Sequence, residues 1–325
     1  MPTRQQIHID RALTNISVAF IQQSSAFIAD KIFPLVPVQK QSDTYFEYSR
    51  ADFFRDEAAE RAKGTESAGG DYDIKIADPY FCRKYAFHSD VNEEDRVNAD
   101  SPLAPNQDAT EFVSQKLMLK REVLWAQKFF KESVWGKEIE GVADNPTGPE
   151  AIKFNLATSD PIKVITEEAV AMAEQTGYKP NTLVLSPYVF NALKNHEDIL
   201  DRIKYTQRGI VTLDLLATLF EVDKVVVPWS VVNSGNKGKD ESNAFIMGKH
   251  MLLAYVAPRP ALRQPSAGYI FTWKGLKGAG AYGNRIVRIP MPWLGMDTER
   301  IEGEMAFDLR VVADDLGTFF KDIVD

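Results

Sequence analysis

Residues 44 to 90 constrain this chain more than any other stretch. Thr44, Tyr45, Phe46, Glu47 and Tyr48 make one aromatic, β-branched run, and Tyr72 to Ile76, continuing to Phe81, Tyr85 and Phe87, make another. Both compositions favour strands. Between them lie Arg50, Asp52, Arg55, Asp56, Glu57, Glu60, Arg61 and Lys63, followed by Gly64, Thr65, Glu66, Ser67, Ala68, Gly69 and Gly70. A piece of that composition cannot bury itself. The pattern predicts a long two-stranded projection with a charged tip, and because a two-stranded ribbon is marginal alone, something else must lie against it.

Ahead of this projection stand Ile16, Val18, Phe20, Ile21, Phe27, Ile28 and Ile32, then Phe33, Pro34, Leu35, Val36 and Pro37. The two prolines forbid a helix there and favour an extended path. We read an arm that packs on its own body or on a neighbour, since an exposed apolar arm would aggregate. After the projection, Asp108 followed by Glu111 has the shape of a capping box, and helical spacing runs on to Trp135, before Gly136. Phe112, Val113, Leu117, Met118, Val123, Leu124, Trp125, Phe129 and Phe130 fill more than one stripe. A helix of about 28 residues, roughly 42 Å long, should therefore touch something on two sides, although burial in its own core gives the same pattern.

The next part alternates helices and strands. Asp160 and Pro161 form an N-cap and first-turn signature, and Ile162, Ile165, Ala169, Met172 and Ala173 give one apolar face ending before Gly177. A strand is expected at Thr182–Leu185, a short helix from Ser186 and Pro187 through Leu193, another at Leu213–Phe220, and a valine-rich strand at Val222–Val227. Ala244–Met247 and Met251–Val256 read as a hairpin around Gly248, Lys249 and His250. Ala267–Trp273, Arg285–Ile289 and Arg300–Ala313 are further strands. In the last, Ile301, Gly303, Met305, Phe307, Leu309 and Val311 alternate with Arg300, Glu302, Glu304, Asp308 and Arg310, so one face is buried and the other wet or charged.

Charge and chemistry exclude more than they propose. Among 325 residues, 38 Lys and Arg stand against 46 Asp and Glu, a net charge of −8, which argues against a dedicated phosphate-backbone binder. The average hides a segregation: residues 249 to 289 hold seven cations and no carboxylate, and residues 291 to 325 hold three cations against nine carboxylates. These are two solvated faces or a self-complementary charge between subunits. Lone Cys82 makes no intrachain disulfide and has no base nearby. His8, His88, His196 and His250 lack ligand spacing and read as surface or turn residues, and His88 with Asp90, Glu93, Glu94 and Asp95 reads as a solvated loop. Gly278, Gly280 and Gly283 satisfy GxGxxG, but a strand with Pro290 and Pro292 behind it follows instead of a helix, so we expect a flexible loop rather than a dinucleotide site. No cofactor, metal or catalytic group is expected. Met1 to Gln5 lead into no secretory h-region, and no run reaches the roughly 18 apolar residues of a membrane span, so synthesis in the cytoplasm and no membrane partner are expected.

The order of parts carries the strongest signal: apolar arm, charged hairpin, long helix, polar connector, α/β lobe, returning strands. That order resembles the major capsid proteins of tailed double-stranded DNA bacteriophages, the Hong Kong 97 type fold. The stretch Pro180, Asn181, Thr182, Leu183, Val184, Leu185, Ser186, Pro187 and the closing strand Glu299–Ala313 with Asp314, Asp315 and the Phe319–Val324 tail also look like that family. The resemblance implies an α+β fold with an N-terminal arm (1–40), an extended hairpin loop (41–90), a peripheral domain (91–160) whose spine helix spans 108–135, an axial α/β domain (161–284) and return strands of the peripheral domain (285–325).

It further implies a structural, non-enzymatic subunit that assembles with itself, as pentamers and hexamers, into an icosahedral shell. Inside lies double-stranded DNA, held without sequence-specific contacts, and portal, scaffolding and decoration proteins are further partners. The shell would be a virion capsid assembled in the bacterial cytoplasm. With only about 40 residues before the hairpin, a scaffold should be a separate protein. Candidate assembly contacts are Phe20 and Phe27 on the arm, Arg55, Glu57, Glu60, Arg61 and Lys63 at the tip, Trp125 and Phe129 on the helix, and Arg285, Arg288, Glu302 and Glu304 on the return strands. Three other readings stand beside it: an encapsulin-type compartment shell, a soluble α/β enzyme with residues 50 to 71 as a lid, and a tail or portal component.

Overall fold

The computed structural model describes residues 22–99, 103–203, 211–260, 264–276, 278–280 and 283–325. The first half of the chain runs β1 (Leu35–Val38), β2 (Ser42–Asp43), β3 (Phe46–Tyr48), α1 (Arg50–Phe53), β4 (Ile74–Ile76), β5 (Tyr80–Phe81), β6 (Arg83–Val91), α2 (Glu93–Val97) and α3 (Pro105–Phe129). Then come β7 (Lys137–Val142), β8 (Glu150–Ile152), α4 (Pro161–Thr176), β9 (Thr182–Leu185), α5 (Pro187–Lys194), α6 (Glu197–Ile203) and α7 (Leu213–Leu219). The last part holds β10 (Lys224–Val226), β11 (Val231–Asn233), β12 (Asn243–Phe245), β13 (Met251–Ala254), β14 (Gly268–Trp273), β15 (Arg285–Pro290), β16 (Glu299–Val311) and β17 (Gly317–Lys321). Helices and strands mix in an α+β fold.

Two sheets organise these elements. In the five-stranded sheet β1, β14, β16 and β15 follow one another, and β6 runs along the opposite edge of β16. In the six-stranded sheet the order is β10, β9, β13, β17, β7 and β8. Strand β9 is buried throughout because both faces of its sheet are covered. Leu183 and Leu185 join a core with Ile165 of α4, Val189 of α5 and Leu216 of α7, whereas Val184 joins one with Trp125 and Phe129 of α3. Strands covered on both faces read as unbroken apolar runs, as Leu183 to Leu185 does.

Helix α3 connects the sheets. Its first half lies across β16, where a Cβ on Gly303 would stand 2.6 Å from Leu117 Cδ1 and Val113 Cγ1. Only a glycine permits that approach. Its second half buries Trp125, Ala126 and Phe129 between the sheets and against Ile28, Ala29, Ile32 and Phe33 of the arm. The two sides that the apolar stripes predict are thus met within the chain. The helix starts at Pro105 rather than Asp108, since proline suits the first turn, and Asp108 Oδ2 accepts from the Ala104 N–H at 3.3 Å. It stops at Phe129, and residues 131–135 turn away.

The described arm packs on its own body: β1 pairs in parallel with β14, Leu35 opposite Ile270 through Val38 opposite Trp273. The N-caps fall where the sequence puts them, with Asp160 accepting from the Lys163 N–H and Ser186 from the Val189 N–H. The expected 244–256 hairpin does not form; β12 pairs with β11, and β13 pairs with β9 and β17. Helix α6 was not expected. Partner choice also redraws the linear division. Strand β6 leaves the hairpin for the five-stranded sheet, β7 and β8 leave the peripheral stretch for the six-stranded one, β14 goes the other way, and β17 ends the chain in the six-stranded sheet.

Candidate assembly surfaces

The projection is built from two short antiparallel ribbons, β2 with β5 and β3 with β4. Opposite pairs Phe46–Ile76 and Tyr48–Ile74 put apolar side chains on one face of the second ribbon. No second layer covers that face: Phe46 is 67% and Ile76 71% exposed. Toward the tip, Tyr48, Phe53 and Tyr72 cluster with ring centroids 5.7 to 6.2 Å apart. Helix α1 stands where the sequence suggests only loop. Asp52 caps the turn by accepting from the Asp73 N–H at 3.0 Å, and that hydrogen bond holds its carboxyl below the usual range. Beside that cluster the projection touches the body, where Arg50 pairs with Asp315 and the Phe54 ring lies over Gly177.

Of the expected tip contacts, Arg55, Glu57, Glu60, Arg61 and Lys63 are all exposed. Arg55 reaches Asp52 at 3.3 Å and Glu57 at 3.8 Å from a largely exposed guanidinium, and such pairs contribute little. Phe27, Trp125 and Phe129 are corrected: all three lie in the subunit interior, because the arm turns back onto α3 and Phe33 stacks among the rings. Phe20 lies outside the described residues.

The return strands require a second correction. Arg285 stands opposite Glu304 in the β15–β16 register and donates to its carboxylate at 2.6 Å, while Lys84 of β6 pairs with it from the other side. The expected complementarity between subunits is satisfied within one chain at these two residues. Burial pushes the Glu304 carboxyl up, but Lys84 and Arg285 outweigh it and hold it below the ordinary value. Arg300 holds Asp90 bidentately at 2.8 and 2.9 Å, and that bond keeps the Asp90 carboxyl low. Glu302 sits on the same face, between His88 and Val287 in register. Arg288 projects from the α3 side and lines a cleft of about 680 Å³ with Arg96, Asn106, Gln107, Thr110 and Glu111.

Other residues that invite chemistry are committed elsewhere. Burial pushes the Cys82 thiol up to about 12, and its S–H points to the Phe271 carbonyl oxygen at 3.6 Å; a thiol that high is a poor nucleophile. His196 is buried rather than superficial, with Nε2 3.0 Å from Ser159 Oγ. Its Nδ1 accepts from the Asp198 N–H and the Ser159 hydroxyl donates to the Leu156 carbonyl oxygen. Nε2 therefore carries the proton and cannot take one from the serine. Gly283, with φ +61°, leads into β15, and a Cβ there would stand 2.7 Å from two backbone carbonyl oxygens. That glycine serves close packing, not a phosphate. Among the described residues no three of His, Cys, Asp and Glu gather to hold a metal, and no helix is long and apolar enough to cross a membrane.

Two exposed apolar groups escaped the reading by charge. Phe46, Ile74 and Ile76 are legible in the period-two alternation, and Trp293, Leu294 and Met296, the last 87% exposed, form the loop between β15 and β16 just after Pro292. A short apolar run behind a proline was the available signal for the second group.

No family model matches the chain. It is 26% identical to the major capsid protein of Burkholderia phage BcepMu over 288 residues, 82% of this chain and 84% of that protein. It is also 26% identical to the major capsid protein of Pseudomonas phage JBD67 over 322 residues, 97% of each. Among solved structures, a phage-related protein of Bordetella bronchiseptica superposes with a TM-score of 0.68 at 22% identity, covering 93% of this chain and 94% of that one. The capsid of cyanophage P-SCSP1u follows with 0.62 at 10% identity over 99% and 98%, and an encapsulin from Synechococcus elongatus PCC 7942 with 0.56 at 12% over 97% and 94%. In sequence this chain is similar to phage major capsid proteins, and its α+β fold, exposed projection included, is the fold of phage capsid structures.

Proposed function

We propose that the chain is the structural subunit of a phage head, assembling with itself as pentamers and hexamers into an icosahedral shell around double-stranded DNA. The observation that carries this reading is the projection: a folded, rooted ribbon whose apolar face has no cover of its own. Apolar rows of this kind are stable in water only when a partner buries them, and in a closed shell every copy supplies that partner to the next. The subunit's net charge of −8 fits a wall that encloses DNA without gripping it. Its interior polar groups serve packing, which supports a structural rather than catalytic role. On this reading the protein resides in the virion capsid, is made in the host cytoplasm, and works with portal, scaffolding and decoration proteins.

The likeness to an encapsulin keeps one second reading, a compartment shell with protein cargo. Electron microscopy and analytical ultracentrifugation of the chain expressed alone and with candidate scaffold proteins test both. Shells, tubes or capsomer rings are the expected product, and DNA or protein inside purified particles separates head from compartment. A monomer or dimer under every condition, scaffold included, removes the shell reading.

A further inference from the structure

Glu122 stands apart from the exposed surfaces of the chain. It sits on α3, fully buried, and carries a carboxylate in the subunit interior. The arm makes a turn around it: Oε2 accepts from the Ile28 N–H at 3.0 Å and the Ala29 N–H at 2.9 Å, and Oε1 lies 3.3 Å from the Ser230 hydroxyl that donates to it. Two turns back along α3, the Gln115 amide donates to the Gln22 carbonyl oxygen, and the Gln22 amide binds both the N–H and the carbonyl oxygen of Val231. The arm thus follows α3 from residue 22 to residue 29, and one carboxylate joins three segments that are far apart in sequence.

We propose that Glu122 is a clasp whose protonation state governs how tightly the N-terminal segment holds to the subunit body. Ile28, Ala29, Ile32 and Phe33 dock the arm by apolar contact, but a turn of bare N–H groups inside a core needs an acceptor. Glu122, reaching from α3, provides one. The charged groups around the site are Arg121 on α3, Asp30 and Lys31 on the arm, and Lys224 on β10. Arg121 pairs with Asp30 at 3.5 Å and Lys224 donates to the Lys31 carbonyl oxygen; Ser230 brings no charge from the third segment.

The direction of the effect follows from burial. Loss of water raises the Glu122 carboxyl above its ordinary value, although the Ile28 and Ala29 N–H groups and Arg121 oppose this. A docked arm then binds a proton more readily than a released one. Docking is tightest below the ordinary carboxylate range and loosens as pH rises through the raised value.

Hydrogen exchange of the full-length subunit, followed by mass spectrometry from pH 5 to 8 and corrected for intrinsic rates, tests this. The amides of Ile28 and Ala29 should open more often as pH rises, while those of Leu183 to Leu185 in β9 stay constant. Glu122→Gln, which keeps an acceptor for both N–H groups and a donor toward Ser230, should stay protected and lose the pH dependence. Glu122→Ala should lower protection by roughly tenfold or more; should that variant fail to fold, the glutamine variant decides alone. A flat profile in the wild-type protein, or a wild-type slope in Glu122→Gln, overturns the clasp. The readout lies within one subunit, so failure to assemble would count against the shell and not against this inference.

Discussion

Strands β9 and β4 use the same kind of residue and meet opposite fates. Thr182, Leu183, Val184 and Leu185 are all buried; Ile74, Lys75 and Ile76 are all exposed. Intrinsic preference does not separate them, since Ile is as good a strand former as Leu or Val. The difference is the second layer. Strand β9 has strands on both edges and helices or arm on both faces, and each large apolar side chain buried there is worth about 2 kcal/mol. Strand β4 has one neighbour, β3, and water on its apolar face. The lobe around β9 buries its apolar strands within the chain, and the projection leaves an apolar face uncovered by it.

The largest test of that contrast removes the tip. Deleting Ala58 to Gly70 should leave a folded subunit with an unchanged melting temperature and yield no closed shells by microscopy. Normal particles from the deletion would return the tip to the status of a solvated loop. The next test compares single side chains: Leu183→Ala should lower subunit stability by about 3 kcal/mol in urea unfolding, whereas Phe46→Ala should change it by less than about 0.5 kcal/mol and act on particle yield instead. A Phe46→Ala subunit as unstable as Leu183→Ala would mean that the projection is held by its own body.

The same contrast explains what the sequence makes legible. Local signals held: the caps at Asp160 and Ser186, strand β9, and the alternation in β16 all depend on residues a few positions apart. Partner choice did not, because pairing joins residues far apart in sequence. Nothing within 244–256 distinguishes a hairpin from two strands that each leave for another partner, and nothing around Lys137–Val142 names the six-stranded sheet as its destination. Ion pairing is hidden for the same reason. Residues 249 to 289 are basic and residues 291 to 325 acidic, but counting charges along the chain does not reveal that β15 and β16 bring Arg285 and Glu304 together in one subunit. Glu122 was invisible, since a single carboxylate in a long helix is ordinary until the arm is found folded over it.

Charge reversal turns that failure into an experiment. Arg285→Glu sets two carboxylates opposite each other beside Lys84 and should cost the subunit about 2 kcal/mol, with loss of assembly following from loss of fold. Arg288→Glu, at an exposed position on the α3 side, should leave the melting temperature alone and shift the salt dependence of assembly if that strand meets a neighbour. An unchanged salt response in a normally folded Arg288→Glu subunit places Arg288 on a solvated face.

The smallest effect lies in a pair of ion pairs that look alike in sequence. Arg300 and Asp90 meet bidentately across neighbouring strands, both about three-quarters covered, whereas Arg55 and Glu57 on the tip are 3.8 Å apart and about half exposed. A pair fixed by strand register loses little side-chain entropy on forming; one on an exposed tip loses as much as it gains. Asp90→Asn should therefore cost about 0.5 to 1 kcal/mol at pH 7, and Glu57→Gln nothing measurable. The sign with pH is fixed by the lowered Asp90 carboxyl. Its contribution is full above the ordinary aspartate value and disappears as pH falls through the lower folded value. The gap between wild-type and Asp90→Asn melting temperatures should close on acidification; a gap that widens toward low pH would mean that Arg300 is held by something other than the Asp90 charge.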